Sequence, residues 1–207
     1  MIMPTLRNTL EMKTTARHVT LAIAVLSFLA LTGRSNAQQL VLHCDPSHTV
    51  ANFTLGASLH TVHGGFNVKR CEIHFDPSSA SISGEVVFDV TTGQTGNDGR
   101  DRKMHKDVLE SERYPEIKFR PGRVDGKVTP VTTSTVQVHG MFAIHGVEHE
   151  ITVPVEVKLE GDHWTASAHF PVPYVQWGMK NPSNFFLHVR DIVEVEFKAA
   201  GTVSPAS

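Results

Sequence analysis

Five separate runs of this chain alternate apolar and polar residues with a period of two. In the first, Ile82, Val86, Phe88 and Val90 fall on one side, with Ser83, Glu85 and Asp89 on the other. Val136, Val138, Phe142 and Ile144 repeat the pattern, as do Ile151, Val153, Val155, Val157 and Leu159. Trp164, Ala166, Ala168 and Phe170 form a fourth row, and Val193, Val195, Phe197 and Ala199 a fifth. Successive side chains of a strand point to opposite faces, so each run predicts a strand with one buried face. Turn-forming residues separate the runs at Asp76-Pro77-Ser78-Ser79, Gly93 through Gly99, Gly122 through Pro130, and Gly161-Asp162. Between the second and third runs, His145-Gly146-Val147-Glu148-His149 reads as a hairpin turn in which Gly146 supplies a positive φ. Such a chain folds as an antiparallel sandwich or an up-and-down barrel. Pro154 cannot donate to a ladder, which places it at a strand edge or bulge. Pro171 to Asn184, with three prolines, reads as a long rim loop.

One segment breaks the strand pattern. From Gly99 to Tyr114 the residues are mostly charged, and Met104 and Val108, like His105 and Leu109, lie four apart. That spacing predicts a short helix, bounded at 101–112, with one narrow apolar face. Asp98 or Asp101 is positioned to cap its start. Pro115 disfavours helical geometry at Tyr114 and ends it. Ile117 and Phe119 then resume the strand alternation.

Residues 1–37 stand apart from this pattern. Lys13 and Arg17 precede an apolar run from Val19 to Leu31, and Ser35-Asn36-Ala37 offers small residues for cleavage. The segment reads as a secretory signal peptide cut before Gln38, with Met1 or Met12 as the start. The run is short for a membrane span, and no Cys follows the cleavage site for lipid attachment. One soluble, exported domain, 38–207, is expected, periplasmic or secreted. Removal of the leader takes basic residues from 19 to 15 and acidic residues from 21 to 20, so the domain carries a net charge of about −5. No basic run suits nucleic acid, and no polybasic patch marks an anionic membrane. Cys44 and Cys71 are the only cysteines, and a disulfide or two buried thiols both fit.

The helical segment also carries a resemblance. Arg100-Asp101, the Met104 to Leu109 helix and Tyr114-Pro115-Glu116-Ile117-Lys118-Phe119 resemble a motif of the YceI-like family of exported lipid-binding proteins. Asp45-Pro46-Ser47-His48-Thr49-Val50-Ala51-Asn52-Phe53 is similar to that family's opening strand, and Gly64-Gly65-Phe66 to the start of its second. Gly140 through Val147 resembles its central hairpin, and Asp191 through Phe197 its closing strand. The chain departs from the family at Ala57, near the place of a His that here comes later, as His60 or His63. The Trp177 to Ser183 loop is also longer and more polar than is usual.

The resemblance implies an all-β fold: an extended antiparallel lipocalin-like barrel of about eight strands, enclosing an apolar tunnel for a polyisoprenoid or similar long lipid. No catalytic group, metal or other cofactor is expected, and a homodimer is suggested by analogy alone. Phe53, Phe88, Phe119, Phe142, Ile144, Trp164 and Phe170 are expected to face the ligand. Met104, His105, Val108 and Leu109 belong to the expected lid. Gly84, Gly140, Ala166 and Ala168 would leave space inside. Arg100 has a planar fork suited to a phosphate head group, or pairs with Asp101 at the helix start. Trp177 and Tyr174 stack at a tunnel mouth or cover a barrel edge.

Three alternatives use other features. Asp101 and His105 have the spacing to orient an imidazole, but no nucleophile accompanies them. Of the thirteen histidines one, His18, lies in the leader. His139, His145 and His149 among the others raise a metal-binding or small hydrolytic protein, although no ligand motif accompanies them and His145 to His149 reads as a solvated turn. A stress-related structural module would have the same rows simply packed against one another.

Overall fold

The computed structural model describes residues 39–206, so the leader segment 1–37 lies outside the described residues. Nine strands make one antiparallel sheet: β1 (Leu40–Cys44), β2 (Val50–Gly56), β3 (Thr61–Asp76), β4 (Ser81–Gln94), β5 (Glu116–Asp125), β6 (Ser134–Ile144), β7 (Val147–Glu160), β8 (His163–Val172) and β9 (Val193–Pro205). From β3 the order runs through β2, β9, β8, β7, β6, β5 and β4, and β4 pairs back onto β3. The sheet is therefore a closed barrel.

The remaining strand, β1, does not widen it. β1 pairs with the far half of β3, Leu40 opposite Phe75, and with the end of β9. β2 pairs with the near half of β3 and the start of β9. The two strands thus share one position, and nine strands fill eight places around the barrel. A 3-10 turn, Pro46–His48, separates them, with Asp45 accepting from the Ser47 N–H at 2.9 Å. Cys44 and Cys71 form a disulfide with a Cα–Cα distance of 5.7 Å, beside the cross-strand pair His43 and Glu72.

Several boundaries differ from the sequence expectation. The β6–β7 turn is only His145-Gly146, both with positive φ (52° and 78°), so His149 lies within β7 opposite Phe142. Cross-strand partners share a face, which turns His149 inward rather than into a solvated turn. β5 continues through Gly122 to Asp125, and β8 through Pro171 to Val172, leaving 173–192 as the rim loop.

The helix also begins earlier. α1 spans Asp98–Lys103 and is capped by Asn97, whose side-chain oxygen accepts from the Arg100 N–H at 2.9 Å, not by Asp98 or Asp101. It widens into a π-helical turn, Met104–Val108, and stops at Leu109. The helix ends ahead of Pro115 because Glu110 adopts a positive φ of 46°, a conformation that cannot propagate a right-handed helix.

Pro154 marks an interruption. It pairs with Gln137 of β6, but the β7–β8 ladder starts only at Val155. Residues 147–154 are bonded on one side, a local edge of the kind where a missing N–H costs nothing. The rim loop seats itself there through Trp177, which stacks on His149 with ring centroids 4.0 Å apart and planes 7° from parallel. Tyr174 anchors the same loop, donating from its hydroxyl to the Arg190 carbonyl at 2.9 Å. The His149 Nε2 is buried without a hydrogen-bond partner among the described residues, and burial lowers its pKa below the ordinary 6.5.

Replacing Cys44 and Cys71 together by Ala should lower stability by about 3–4 kcal/mol in urea denaturation, given the loop the bond closes; an unchanged midpoint would refute this. His149 resists protonation in the fold, whereas the unfolded chain takes up a proton as pH drops below about 6.5. Wild type should therefore lose more thermal stability than His149→Phe between pH 7.5 and 5, and identical slopes would count against a titrating His149.

Candidate ligand tunnel

The inward rows of the barrel do not fill it. They enclose an almost wholly apolar cavity of about 460 Å³, reaching from Met104, Val108, Tyr174 and Met179 at one end to Leu40, Pro77, Val128 and Val203 at the other. A barrel packed solid, as a purely structural module would have it, is not what these residues form. Edge-to-face and tilted aromatic pairs build the wall: Phe53 with Phe66 at 5.4 Å, Phe88 with Phe197 at 5.7 Å, and Phe142 with Phe170 at 6.0 Å.

Small residues shape the space, but not all as expected. Ala166 and Ala168 line the cavity. Gly84 does not, because a Cβ there would lie 2.1 Å from the Glu72 carbonyl oxygen, so its place is taken by backbone. At Gly140 the room is taken by the Arg120 carbonyl oxygen, 2.4 Å from where a Cβ would stand, and by the Phe119 ring at 2.9 Å. Gly64 accommodates the Phe53 ring in the same way.

Ten of the thirteen expected ligand-facing residues line the cavity. They are the wall residues Phe53, Phe88, Phe119, Phe142, Ile144, Trp164 and Phe170, and Met104, Val108 and Leu109 of the helix. Arg100, His105 and Trp177 lie outside it. Trp177 covers the open edge of β7, as described above. Alternation along β3 and β9 could have added Phe66 and Phe197. Met179 reaches the cavity from an irregular loop, and no periodicity announces it.

Arg100 and His105 have a different task. The Arg100 Nε donates to the Thr95 hydroxyl at 2.7 Å and its Nη2 to the Thr95 carbonyl at 2.8 Å. Asp101 accepts from the Thr95 N–H at 3.0 Å and from the Thr95 hydroxyl. Burial works against the Asp101 charge, yet the Thr95 hydrogen bonds and the nearby Arg100 and His105 outweigh it and hold the carboxyl below its usual range. His105 contacts the Ser111 hydroxyl at 2.6 Å and the Gly93 carbonyl at 2.8 Å through its two ring nitrogens. Together the three side chains staple the helix to the end of β4. Arg100 and Asp101 are thus joined through Thr95 rather than as an exposed ion pair, and Asp101 and His105, raised as a pair by their spacing, hydrogen-bond to separate partners.

Gly93 allows the helix to approach so closely. A Cβ there would meet the Phe66 ring at 2.5 Å and the Met104 Cε at 3.1 Å. The lid is therefore apolar beneath and polar where it is fastened. Few polar groups border the cavity. The Tyr174 phenol is one, pushed up to about 12 by burial and the nearby Asp191, so it stays a neutral donor. The histidines raised as metal ligands are dispersed. His139 meets Asp125 and Thr152 at 2.8 Å each, and His145 packs on Tyr114 at 4.4 Å. Among the described residues no three His, Cys, Asp or Glu side chains gather closely enough to hold a metal ion. No helix of the described residues is long and apolar enough to cross a membrane.

No curated protein sequence matches the chain. Among solved structures, BcnA of Burkholderia cenocepacia is 21% identical with a TM-score of 0.64, covering 77% of this chain and 99% of that one. A polyisoprenoid binding domain from Saccharophagus degradans implicated in plant cell wall breakdown is 15% identical with a TM-score of 0.62, covering 80% and 98%. The YceI protein of Campylobacter jejuni is 18% identical with a TM-score of 0.55, covering 68% and 84%. These likenesses are of fold. The sequence pattern of the YceI-like domain matches residues 42–200, from β1 into β9. With that match over most of its length, the chain belongs to the YceI-like domain family.

Proposed function

We propose that this protein is an exported, non-enzymatic carrier or store for a polyisoprenoid or similar long apolar lipid held in the barrel. The observation that carries the reading is the apolar cavity running from the lid to the far end. Its volume of about 460 Å³ lies within the range of small-molecule sites. Left without atoms, such a space would forfeit packing at roughly 24 cal/mol per Å³, on the order of 10 kcal/mol, comparable to the whole stability of a domain. An apolar occupant removes that penalty. The kinship with a polyisoprenoid binding domain supports the chemical class. Export rests on the leader-like segment 1–37. The polar side chains of the lid, Arg100, Asp101 and His105, are occupied in holding it in place, which favours binding over catalysis.

Organic extraction of the purified protein and mass spectrometry should recover a long-chain isoprenoid or fatty lipid at near-stoichiometric amounts. Protein that repeatedly yields none, and takes up none when offered isoprenoids, would end this reading. Ala166→Phe, which pushes a ring into the cavity, should cut the recovered lipid several-fold while the far-UV circular dichroism remains that of a β-barrel. A full lipid load in that variant would place the ligand elsewhere.

A further inference from the structure

Antiparallel connectivity sorts the loops between the two barrel ends. The lid, the β2–β3 turn, the β6–β7 turn and the rim loop 173–192 share one end. Among the described residues, five of the seven large exposed apolar side chains are also there: Leu59, Val147, Phe185, Phe186 and Ile192. Phe185 and Phe186 are the extreme, 89% and 82% exposed. Their rings touch only edge to face, with centroids 5.1 Å apart.

The pair is presented by a built turn. Asn184 accepts through its side-chain oxygen from the Phe186 and Leu187 N–H groups, each at 3.0 Å, and its own N–H donates to the Leu187 carbonyl at 2.9 Å. Ser183 accepts from the Val189 N–H at 2.8 Å and closes the base. Turn tips ordinarily carry Gly, Asn, Asp or Ser, so two phenylalanines there cost solvation with no local conformational gain. The β2–β3 turn braces the loop, with the Ser58 N–H donating to the His188 carbonyl at 2.8 Å, which brings Leu59 alongside.

Charge sets the choice of partner. No run of the sequence is polybasic, and the same barrel end also carries Asp98, Asp107, Glu110 and Glu112 of the lid segment, but the balance around the tip is local: from His163 to Arg190 the chain holds no Asp or Glu. Lys180 and Arg190 flank the tip, and neither makes an ion pair among the described residues. Lys103 joins them from the lid, donating to the Pro182 carbonyl at 2.8 Å. Asp191 is the nearest acid in sequence, and the Asn181 amide donates to it at 2.6 Å. An apolar tip beside unpaired cations matches a surface that is anionic outside and apolar just beneath.

We infer that the Phe185-Phe186 tip, with Lys180, Arg190 and Lys103, docks the lid end of the barrel onto an anionic phospholipid bilayer. The rings enter the acyl boundary and the cations meet the head groups. The inference rests on the carrier reading for its purpose, since docking presents the lid to the source or recipient of the lipid. Its observables are separate, because neither phenylalanine lines the cavity.

The test is flotation of the full protein with vesicles of phosphatidylethanolamine and phosphatidylglycerol, and with vesicles of phosphatidylcholine, each sample also being extracted for cavity lipid. Wild type should float with the anionic vesicles, less with the neutral ones, and less as salt rises. Phe185→Ser with Phe186→Ser should reduce flotation at least tenfold or so, and Lys180→Glu with Arg190→Glu several-fold. Both variants should retain the wild-type lipid load, which shows an intact barrel. Flotation without any extractable lipid would sink the carrier reading and leave docking standing. Wild type that stays unbound overturns the inference, as does a phenylalanine double variant that floats equally well. So does a dimer in sedimentation that this variant dissolves without any vesicle binding, which would assign the tip to a second copy.

Discussion

The interior of this molecule depends on hydrogen bonding along both edges of β3. One edge takes β2 and then β1 in succession, and the other takes β4. Without the β4 ladder the sheet would be open, with two unpaired edges and an apolar face exposed to water. With it, every inward row meets another across the barrel. The length of β3, sixteen residues, matters here because it spans the two shorter strands that share one place opposite it. β3 meets this demand with register shifts near Gly65 and Val68, where the strand bends to close the curve.

What alternation can reveal, it revealed. The rows beginning at Ile82, Val136, Ile151, Trp164 and Val193 became β4, β6, β7, β8 and β9, because a residue's side of a strand depends only on parity. The ten expected residues that line the cavity lie on those strands, on β2 and β5, or at helical spacing. Parity says nothing of depth. Gly84 and Gly140 share the inward phase, yet backbone and the Phe119 ring take the space that a count of small residues assigns to a ligand. Nor do local patterns tell how a charged side chain will be used. Arg100 has the chemistry of a head-group ligand and is instead turned back onto Thr95, five residues earlier, a contact set by the path of the loop after β4.

The lid illustrates how polar and apolar demands are divided. Met104, Val108 and Leu109 face the cavity, and Arg100, Asp101 and His105 secure the helix to the end of β4 by hydrogen bonds to Thr95 and Gly93, with Ser111 holding the other His105 ring nitrogen. A lid held by apolar contact alone would have no defined rotation over a greasy opening. Directional bonds at its margin supply that orientation, and each is made to a backbone or hydroxyl group in a partly buried place, where a lost partner is costly. The π-helical turn at Met104–Val108 fits the same need, since widening one turn changes which side chains point down without moving the fastening point.

The interruption at Pro154 has a consequence for how firmness is distributed along the barrel. At the far end β1 is bonded on both sides and tied to β3 by the disulfide. At the lid end residues 147–154 have ladder bonds on one side only, and aromatic stacking of Trp177 on His149 takes the place of the missing rungs. Stacking is less directional than a ladder and gives way one side chain at a time. The molecule is therefore graded: amide hydrogens near the disulfide exchange only when the whole domain opens, while those of the half-bonded stretch of β7 are released by a local event of much lower free energy.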